Sequence, residues 1–506
     1  MDDSVLSLVN TVVDLSADAS DPLYQQLYQD LQEAITRGHL PSGTKLPSTR
    51  TLADRVDVSR NTVVNAFEQL RSEGYVESRV GAGTFVSEEL PEEMTQVISA
   101  AAEEVSPLQL ADTKDRTPHL SMEARRIQNT SLSALDDPIS QTAFRQGIPA
   151  LDAFPIETWS KLASRRWRFL PPEELVYGDP AGYPPLRAAI AKYLRTSRGV
   201  LCEEDQIIIV SGAQQAITLV AQVLLDSGDP VCVEDPGFPQ MRAAFTAAGA
   251  RLDYAPVDEE GIKVSELTPN SSARIVGVTP SHQYPLGVTM TMERRLELLE
   301  WAAQHEAWIL EDDYDSQFRY GGEPLAALQG LDNSGRVLYT GTFSKILFPA
   351  LRLGFLVLPP DLVDPIVQMR STIDRCPPRI NQMVLTDFIT EGHLKTHIRQ
   401  MRTLYAARQD ALLEAVNETL GGFIDIEPSR AGLHLVGWLP KGVDDRAVSN
   451  HLRDHDIIAL PLSFYSERAL DRGALLLGYG CVPEDEIYEA VRRMTSALAP
   501  FLPPNR

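Results

Sequence analysis

Seven short runs rich in β-branched and apolar residues alternate with helical stretches between residues 207 and 358. They are Ile207–Val210, Val231–Val233, Leu252–Ala255, Arg274–Thr279, Trp308–Leu310, Val337–Thr340 and Phe355–Leu358. Strands that alternate with helices predict an α/β domain with a largely parallel sheet. Because ligands of such sheets bind beyond the strand ends, the residues that follow each run are the first candidates for a functional site.

Residues 340–345, Thr-Gly-Thr-Phe-Ser-Lys, continue one of these runs and end in Lys345, beside two small hydroxyl residues. A partly desolvated lysine can lose its proton near neutral pH and condense with an aldehyde, which is how a pyridoxal phosphate Schiff base forms. The alternative is a solvated surface lysine, and this short motif alone does not exclude it. The residues at the other strand ends must therefore decide between a Schiff-base lysine and a surface lysine.

Two further strand ends carry candidate ligand groups. Ile207–Val210 runs into residues 211–214, Ser-Gly-Ala-Gln, where small residues expose backbone N–H groups at a helix start and can bind a phosphate. Residues 311–315, Glu-Asp-Asp-Tyr-Asp, place several acids at one strand end, which is costly unless a cation or donor joins them. A protonated pyridine nitrogen would do so, since pyridoxal chemistry needs a carboxylate there. The alternative, a metal cluster, lacks a matching histidine pair, so we predict no metal site.

The N-terminal part has the pattern of three short helices followed by a hairpin. Apolar residues at helical spacing mark the first helix; they are Tyr24, Leu27, Leu31, Ala34 and Ile35. Ser48 can cap a second helix and Ser59 a third, which runs to about Ser72. Residues 74–79 and 84–86 then predict two strands joined by a tight turn at Gly81 and Gly83.

The third helix presents residues suited to a DNA groove. Its apolar face consists of Val63, Ala66, Phe67 and Leu70. This face leaves Arg60, Asn61, Thr62 and Asn65 on the outward side near its N-terminus. The second helix of a helix-turn-helix touches base edges with its first residues, while arginine and hydroxyl groups bind phosphates.

Together with residues 46–50, 58–62 and 81–86, this order resembles the winged-helix DNA-binding domain of GntR-type bacterial regulators. The resemblance covers about residues 20–87 and implies that Arg50, Arg60 and Thr62 contact DNA, with Gly83 at the wing tip. A winged helix used only for protein contacts is the alternative.

The C-terminal part is similar to fold-type I aminotransferases, whose motifs occur here in the family's order over about 370 residues. By this resemblance Lys345 forms the internal aldimine with pyridoxal 5'-phosphate, Asp312 pairs with the ring nitrogen, Tyr314 donates to the phenolic oxygen and Phe238 stacks on the ring. Asp313 stays open as the ring partner. The phosphate would be held by Ala213, Gln214, Thr342 and Arg352, and by Tyr177 of the partner subunit.

Two positions depart from the aminotransferase pattern. Tyr284 stands where the enzymes carry Asn before Pro, and Leu476 stands where many carry the Arg that grips a substrate carboxylate. Arg472 lies nearby and could substitute. The sequence therefore predicts a complete cofactor site with a doubtful substrate site.

The whole chain resembles the MocR subfamily of GntR regulators. The resemblance implies a winged helix-turn-helix domain over residues 1–90, a linker over 91–130, and an aminotransferase-like α/β domain, large plus small, over 131–506. The first hypothesis is a homodimeric transcription regulator that senses pyridoxal phosphate, alone or with an amino compound, and controls vitamin B6 or amino-compound metabolism. The second is a working aminotransferase with a DNA-binding arm, and the third is a structural DNA-binding dimer with a vestigial cofactor site.

Composition is compatible with these hypotheses. The net charge of −24 argues against general attraction to nucleic acid or membranes, but residues 37–86 hold seven Lys and Arg against five acids, a local charge of +2. The four cysteines are far apart and form no CxxC, and no apolar run approaches the roughly 18 residues of a membrane span. With no N-terminal signal pattern, we expect a cytoplasmic protein.

Overall fold

The computed structural model describes residues 13, 15, 21–79, 82–88, 119–128, 143–267, 273–321 and 325–502. The chain forms two compact units, Met1–Pro118 and His119–Arg506. No helix in the described ranges is both long and apolar enough to cross a membrane.

The described residues of the first unit form three helices and a hairpin. They are α1 (Leu23–Thr36), α2 (Thr49–Arg55), α3 (Arg60–Ser72), β1 (Val76–Arg79) and β2 (Gly83–Val86). Ser48 and Ser59 cap α2 and α3, since each hydroxyl accepts a hydrogen bond of 3.1 Å from a backbone N–H in the first turn. Strands β1 and β2 pair antiparallel, as the predicted hairpin requires, while Gly81 of the predicted turn lies outside the described residues.

Helix α3 is oriented by its apolar face. Val63, Ala66, Phe67 and Leu70 are buried in one cluster with Leu27, Leu31, Ala34 and Ile35 of α1, as their spacing predicts. Tyr24 of the predicted apolar face is exposed instead. Burial of this face leaves the polar side of the first turn of α3 exposed to solvent.

The second unit contains eleven further helices and twelve strands within the described residues. The helices are α4 (Met122–Gln128), α5 (Ile156–Arg168), α6 (Pro184–Ser197), α7 (Ala213–Leu224), α8 (Pro239–Ala248), α9 (Met292–Gln304), α10 (Pro360–Ile373), α11 (Arg379–Thr390), α12 (His393–Leu420), α13 (Asp445–Arg453) and α14 (Glu484–Ala497). The strands are β3 (Ile207–Val210), β4 (Pro230–Asp235), β5 (Arg251–Asp258), β6 (Gly261–Ile262), β7 (Ile275–Val278), β8 (Trp308–Asp313), β9 (Val337–Thr342), β10 (Gly354–Val357), β11 (Asp425–Ile426), β12 (His434–Trp438), β13 (Leu460–Pro461) and β14 (Ala474–Gly478).

Eight strands form the main sheet in the order β3-β10-β9-β8-β7-β4-β5-β6. Five of them, β5, β4, β7, β8 and β9, run parallel to their neighbours in this order, whereas β10 is antiparallel to both β3 and β9 and β6 is antiparallel to β5. The seven predicted runs all coincide with strands of this sheet, so the prediction of a mostly parallel α/β sheet is confirmed. The central strands are buried on both faces, which is why they read as continuous apolar runs.

Gly354 brings three strands of this sheet close together. It begins β10 and lies opposite Thr342 of β9 and Val210 of β3. A Cβ atom at Gly354 would lie 2.8 Å from the carbonyl oxygen of Gly341 and 2.9 Å from the Cα of Gly212. Only glycine therefore allows the turn after β3 to approach the end of β9.

Four described strands of this unit form a second, smaller antiparallel sheet in the order β11-β12-β14-β13. Helices α12, α13 and α14 contribute with it to one large apolar cluster, which includes Leu412, Val448, Leu475 and Ile487. This is the small domain expected from the aminotransferase resemblance.

Helix α4 belongs to the second unit, although the sequence assigned residues 91–130 to a linker. Arg126 donates to the Ala247 carbonyl at 3.4 Å and to the Ser227 hydroxyl at 3.1 Å, both in the second unit. The unit accordingly begins at His119 rather than at residue 131.

Candidate functional site

A cavity of about 310 Å³ opens at the carboxyl ends of the central strands. It is lined by residues that follow β3, β4, β8 and β9. Eight of the predicted cofactor residues line it together: Ala213, Gln214, Phe238, Asp312, Tyr314, Thr342, Lys345 and Arg352. The turns at separate strand ends thus converge on one site, as their positions in the sequence predict.

Lys345 follows β9 and points its amine into this cavity. Its Nζ donates a 2.6 Å hydrogen bond to the carbonyl oxygen of Gly147. Burial lowers the pKa of Lys345; two nearby carboxylates oppose the shift, and the charges of Arg145 and Arg352 add to it. The amine is therefore easier to deprotonate than a surface lysine, which is the property that a nucleophilic amine needs.

Asp312 and Asp313, which the sequence left open as ring partners, point to opposite faces of β8, as successive strand residues do. Asp313 accepts hydrogen bonds from Arg198 Nε at 2.8 Å and from the Tyr339 hydroxyl at 2.5 Å, away from the cavity. Burial acts to raise the pKa of Asp313, but the charge of Arg198 and these hydrogen bonds outweigh it and lower the pKa.

Asp312 lines the cavity, and its Oδ1 atom is buried without a hydrogen bond from any described residue. Burial, followed by the charges of Asp313 and Asp315, raises the pKa of Asp312 to about 7. The charge of Lys345 opposes this shift without cancelling it, and no described residue forms an ion pair with Asp312. A protonated pyridine nitrogen in the cavity would provide a cationic partner.

The end of the cavity near β3 suits an anion. Gly212 adopts a φ of 111°, a conformation that L side chains rarely adopt, and precedes the first turn of α7, where Ala213 and Gln214 stand. A Cβ atom at Gly212 would lie 3.5 Å from the guanidinium nitrogens of Arg352. A helix N-terminus, a close guanidinium and the Thr342 side chain form a cradle that fits a phosphate.

Tyr314 is held by a buried polar pair at the wall of the cavity. Its hydroxyl lies 2.9 Å from His282 Nδ1, which is also 2.9 Å from Asp315 Oδ2. Phe238 packs edge-on against Tyr284, with ring centroids 5.6 Å apart, and both rings line the cavity. Aromatic and phenolic groups therefore form part of the wall of the cavity that Lys345 enters.

Arg472, suggested above as a substitute for the missing carboxylate-binding arginine, does not line the cavity. Its Nε donates to the Leu439 carbonyl at 2.5 Å and its Nη1 forms an ion pair of 3.2 Å with Asp425. Leu476 is buried between Val436 and Leu460 in the small sheet. The suggestion that Arg472 substitutes is therefore wrong, because its guanidinium is engaged at the far end of β14.

Several polar residues of the cavity wall were not predicted from the sequence, among them Arg145, Gln146 and His434. Arg145 and Gln146 precede Gly147 in a segment outside every predicted element, so no periodicity marks them. His434 begins β12, a strand of the small domain, and its Nε2 donates to the Pro285 carbonyl at 2.9 Å. Only tertiary contacts bring these three residues to Lys345.

Tyr177 is not among the described residues that line the cavity of its own chain. Its side chain is 73% exposed, and the guanidinium of Arg375 lies 4.2 Å from its ring centroid. The expectation that Tyr177 serves the cofactor of a partner subunit stays a prediction.

The predicted DNA-contacting residues lie on the exposed surface of the first unit. Arg50 is exposed in α2, and Arg60 and Asn61 are exposed in the first turn of α3. The Thr62 hydroxyl is 2.8 Å from that of Ser59, at the same helix start. Gly83 is exposed at the beginning of β2, where a Cβ atom would lie 3.1 Å from Lys45 Cε.

Two family models match the two units. Residues 23–86 match the bacterial regulatory proteins of the gntR family, and residues 143–494 match aminotransferase class I and II. These matches agree with the winged helix-turn-helix and with the fold-type I architecture described above.

Curated relatives share the full arrangement. The chain is 38% identical over 485 residues to the probable rhizopine catabolism regulatory protein MocR of Rhizobium meliloti, covering 96% of this chain and 95% of that protein. It is 28% identical over 476 residues to the pyridoxine biosynthesis transcriptional regulator PdxR of Corynebacterium glutamicum, covering 94% and 95% of the two chains.

Among solved structures, the chain is similar to the α-aminoadipate aminotransferase LysN of Thermus thermophilus, complexed with N-(5'-phosphopyridoxyl)-L-leucine. The TM-score is 0.69 at 28% identity, over 75% of this chain and 97% of that one. The cofactor of this cavity is pyridoxal phosphate. The anion cradle fits its phosphate, the Asp312 oxygen that has no partner among the described residues fits its ring nitrogen, and the Lys345 amine fits its aldehyde.

Proposed function

We infer the function from one premise: the chain belongs to the MocR-type GntR transcription regulators, which join a GntR DNA-binding domain to an aminotransferase-type domain. It is a DNA-binding transcription regulator with a pyridoxal phosphate domain. We propose further that pyridoxal phosphate, alone or together with an amino compound, is the effector that changes DNA binding. The observation that carries this proposal is a contrast: eight of the groups expected to hold the cofactor line one cavity, whereas Leu476 stands at the position of the arginine expected to hold a substrate.

Pyridoxal phosphate supplies an electrophilic aldehyde carbon on an electron-withdrawing ring. Lys345 Nζ would hold it covalently, and Asp312 would accept a hydrogen bond from the ring nitrogen. Tyr314 would donate to the phenolic oxygen, while Phe238 would cover one face of the ring.

The phosphate would occupy the cradle at the start of α7. The backbone N–H groups of Ala213 and Gln214 would donate to it, together with the Thr342 hydroxyl and the Arg352 guanidinium. Arg352 offers a planar pair of donors, which suits phosphate oxygens.

The alternative is a working aminotransferase that carries a DNA-binding domain. The lowered pKa of Lys345 favours it, because an uncharged amine at this place can also serve proton transfer. Release of more than one equivalent of keto acid per protein chain, from an amino donor and a keto acceptor, would support the alternative. A single half-reaction at most would favour the sensor.

Whether pyridoxal phosphate acts alone or with an amino compound also bears on the regulated pathway. Leu476 stands where the carboxylate-binding arginine is expected. This favours pyridoxal phosphate itself as the effector, and control of vitamin B6 synthesis is then one candidate for the regulated pathway. The name of the PdxR relative points the same way, whereas that of the MocR relative points to rhizopine catabolism.

DNA binding tests the proposed function directly. We expect the full-length protein to bind a segment of the DNA upstream of its own gene, and pyridoxal phosphate to change the affinity. Fluorescence anisotropy with tiled duplexes, with and without the cofactor, measures both effects. An affinity for the bound segment that is identical with and without the cofactor would contradict the sensing role and leave DNA binding intact.

Arg60→Ala is expected to weaken binding to that segment by about 1 to 3 kcal/mol if the guanidinium reads a base. A contact with phosphate would instead weaken all DNA sequences alike and reduce the salt dependence. Arg71→Ala is the matched control, since Arg71 is an exposed arginine at the opposite end of α3. If Arg60→Ala binds as well as Arg71→Ala at moderate salt, α3 is not the recognition helix.

We propose that the regulator is a homodimer, because large apolar side chains are exposed close together before α6. Their exposed fractions range from 60% to 74%, and they are Trp167, Phe169, Leu175, Val176 and Tyr177. A monomeric surface rarely leaves so many large apolar side chains of one short stretch of chain in water. A second copy that covers them would bring Tyr177 of the partner subunit toward the cofactor phosphate.

Mixing two defective variants tests the shared site. In a heterodimer of Lys345→Ala with Tyr177→Ala, one site carries both lesions, whereas the other combines an intact Lys345 with an intact Tyr177 of the partner subunit. We therefore expect one near-normal cofactor site per heterodimer, measured by absorbance titration after tag-based purification. Verified heterodimers without a recovered site, or a monomer by light scattering, would overturn the shared site.

A further inference from the structure

Arg145 reaches the cofactor cavity from a segment that crosses the end of β14. The carbonyl oxygen of Phe144 accepts a 2.8 Å hydrogen bond from the backbone N–H of Gly478, the last residue of β14. The carbonyl oxygen of Ala143 accepts one of 3.2 Å from Ile458, which also lines the cavity. The segment therefore carries Arg145 to the border of the cavity next to the strand in which Leu476 stands.

The cationic side chains that line the cavity, among the described residues, are Lys345, Arg352 and Arg145. Lys345 would be used to hold the cofactor, and Arg352 faces the phosphate cradle beside Gly212. His434 is neutral, because burial lowers its pKa to about 3. When pyridoxal phosphate occupies the cavity, a further acidic group that enters it would therefore contact Arg145.

We propose that Arg145 binds the carboxylate of an amino compound that enters the cavity, in place of the arginine that Leu476 replaces. This inference rests on the proposed function, since it needs a cofactor on Lys345. The charge of Arg145 acts on the Lys345 amine, so the guanidinium lies within electrostatic reach of the position that the nitrogen of the amino compound would occupy. Its planar fork can hold a carboxylate by two parallel hydrogen bonds.

Arg145 also borders a second cavity, of about 460 Å³, whose wall includes Asp152, Glu486 and Glu489. A guanidinium held by those acids would not serve an effector. The two roles of Arg145 predict different results, because only a contact inside the cofactor cavity distinguishes amines with a carboxylate from amines without one.

Three probes separate the two roles. L-norvaline carries its carboxylate beside the amine and 5-aminopentanoate carries it at the far end, and both become n-butylamine when the carboxylate is lost. Each is titrated into the cofactor-loaded full-length protein while the visible absorbance of the cofactor is followed. The variants are Arg145→Gln, Arg145→Lys and, as a matched control, Arg472→Gln, whose arginine lies outside the cavity.

We expect Arg145→Gln to weaken binding of at least one of the two acids by about tenfold or more and to leave n-butylamine within about twofold. Arg145→Lys should recover part of the loss, and Arg472→Gln should change nothing. Equal losses for all three probes, no loss for any, or wild-type protein that takes up cofactor but binds neither acid better than n-butylamine would overturn the role of Arg145. Wild-type protein that takes up no cofactor would instead contradict the proposed function.

Discussion

We expect replacement of Lys345 by alanine to abolish covalent attachment of pyridoxal phosphate. Lys345 is the lysine that lines the cavity in the described part of the chain, and burial lowers the pKa of its amine. An uncharged amine attacks the cofactor aldehyde, whereas a methyl group cannot. Borohydride reduction followed by peptide mass spectrometry should find the adduct on Lys345 in the wild-type protein and none in the variant.

Lys395→Ala is the control, since Lys395 is an exposed lysine on α12 that can react only as a surface amine. Its adduct on Lys345 should match that of the wild-type protein. The Lys345→Ala variant should still bind the cofactor noncovalently, because the phosphate cradle with Arg352 is intact. An adduct that moves to another lysine with the same yield would contradict the role of Lys345.

Asp312→Asn is expected to have two effects of opposite sign, higher stability without cofactor and lower affinity for it. The pKa of Asp312 is about 7 in the folded protein against an ordinary 3.8, so the folded form keeps a proton that the unfolded chain releases. The stability of the cofactor-free wild-type protein therefore falls as the pH rises from about 4 to about 7, and the loss is complete above this window.

Asparagine carries no such penalty, so the cofactor-free variant should exceed the wild-type protein in unfolding free energy at pH 8, by on the order of 4 kcal/mol. At pH 4 the two should be alike. With pyridoxal phosphate the order should reverse, because asparagine cannot hold the ring nitrogen as a carboxylate does, and affinity should fall about 30-fold. Urea unfolding at both pH values and absorbance titration measure these effects.

Asp313→Asn provides the matched control from the opposite face of β8. Asp313 pairs with the buried Arg198, so its loss should destabilise the protein by about 3 to 5 kcal/mol, with or without cofactor. If Asp312→Asn destabilises the cofactor-free protein at pH 8 as Asp313→Asn does, Asp312 has a structural partner and is not the ring partner.

Most of the cofactor site could be predicted because its residues follow strands. A buried parallel strand has a recognisable apolar run, and its carboxyl end fixes where the next side chains must lie. The strand ends predict the positions of Lys345, Asp312 and Gln214 in this way. The caps Ser48 and Ser59 were predictable for a similar local reason, since each satisfies N–H groups of its own helix.

The remaining parts depend on contacts that have no local pattern. Arg198 lies at a distant helix end and pairs with Asp313 on one face of β8. This contact, which has no local pattern, leaves Asp312 on the face toward the cavity. Arg145 lies in a segment without periodicity, and its position depends on hydrogen bonds to Gly478 and Ile458. The two-residue strands β6, β11 and β13 are too short to produce an alternating pattern.

Gly354 restricts which residues of this domain can be exchanged without moving the groups around the cofactor. Any side chain there would separate the turn that cradles the phosphate from the strand that leads to Lys345, since its Cβ atom would already contact both Gly341 and Gly212. The spacing of the cofactor groups thus depends on one residue that touches no ligand. New effector preferences can arise by exchange of wall residues such as Arg145, whereas a side chain at Gly354 would force the backbone of Gly341 or Gly212 to shift.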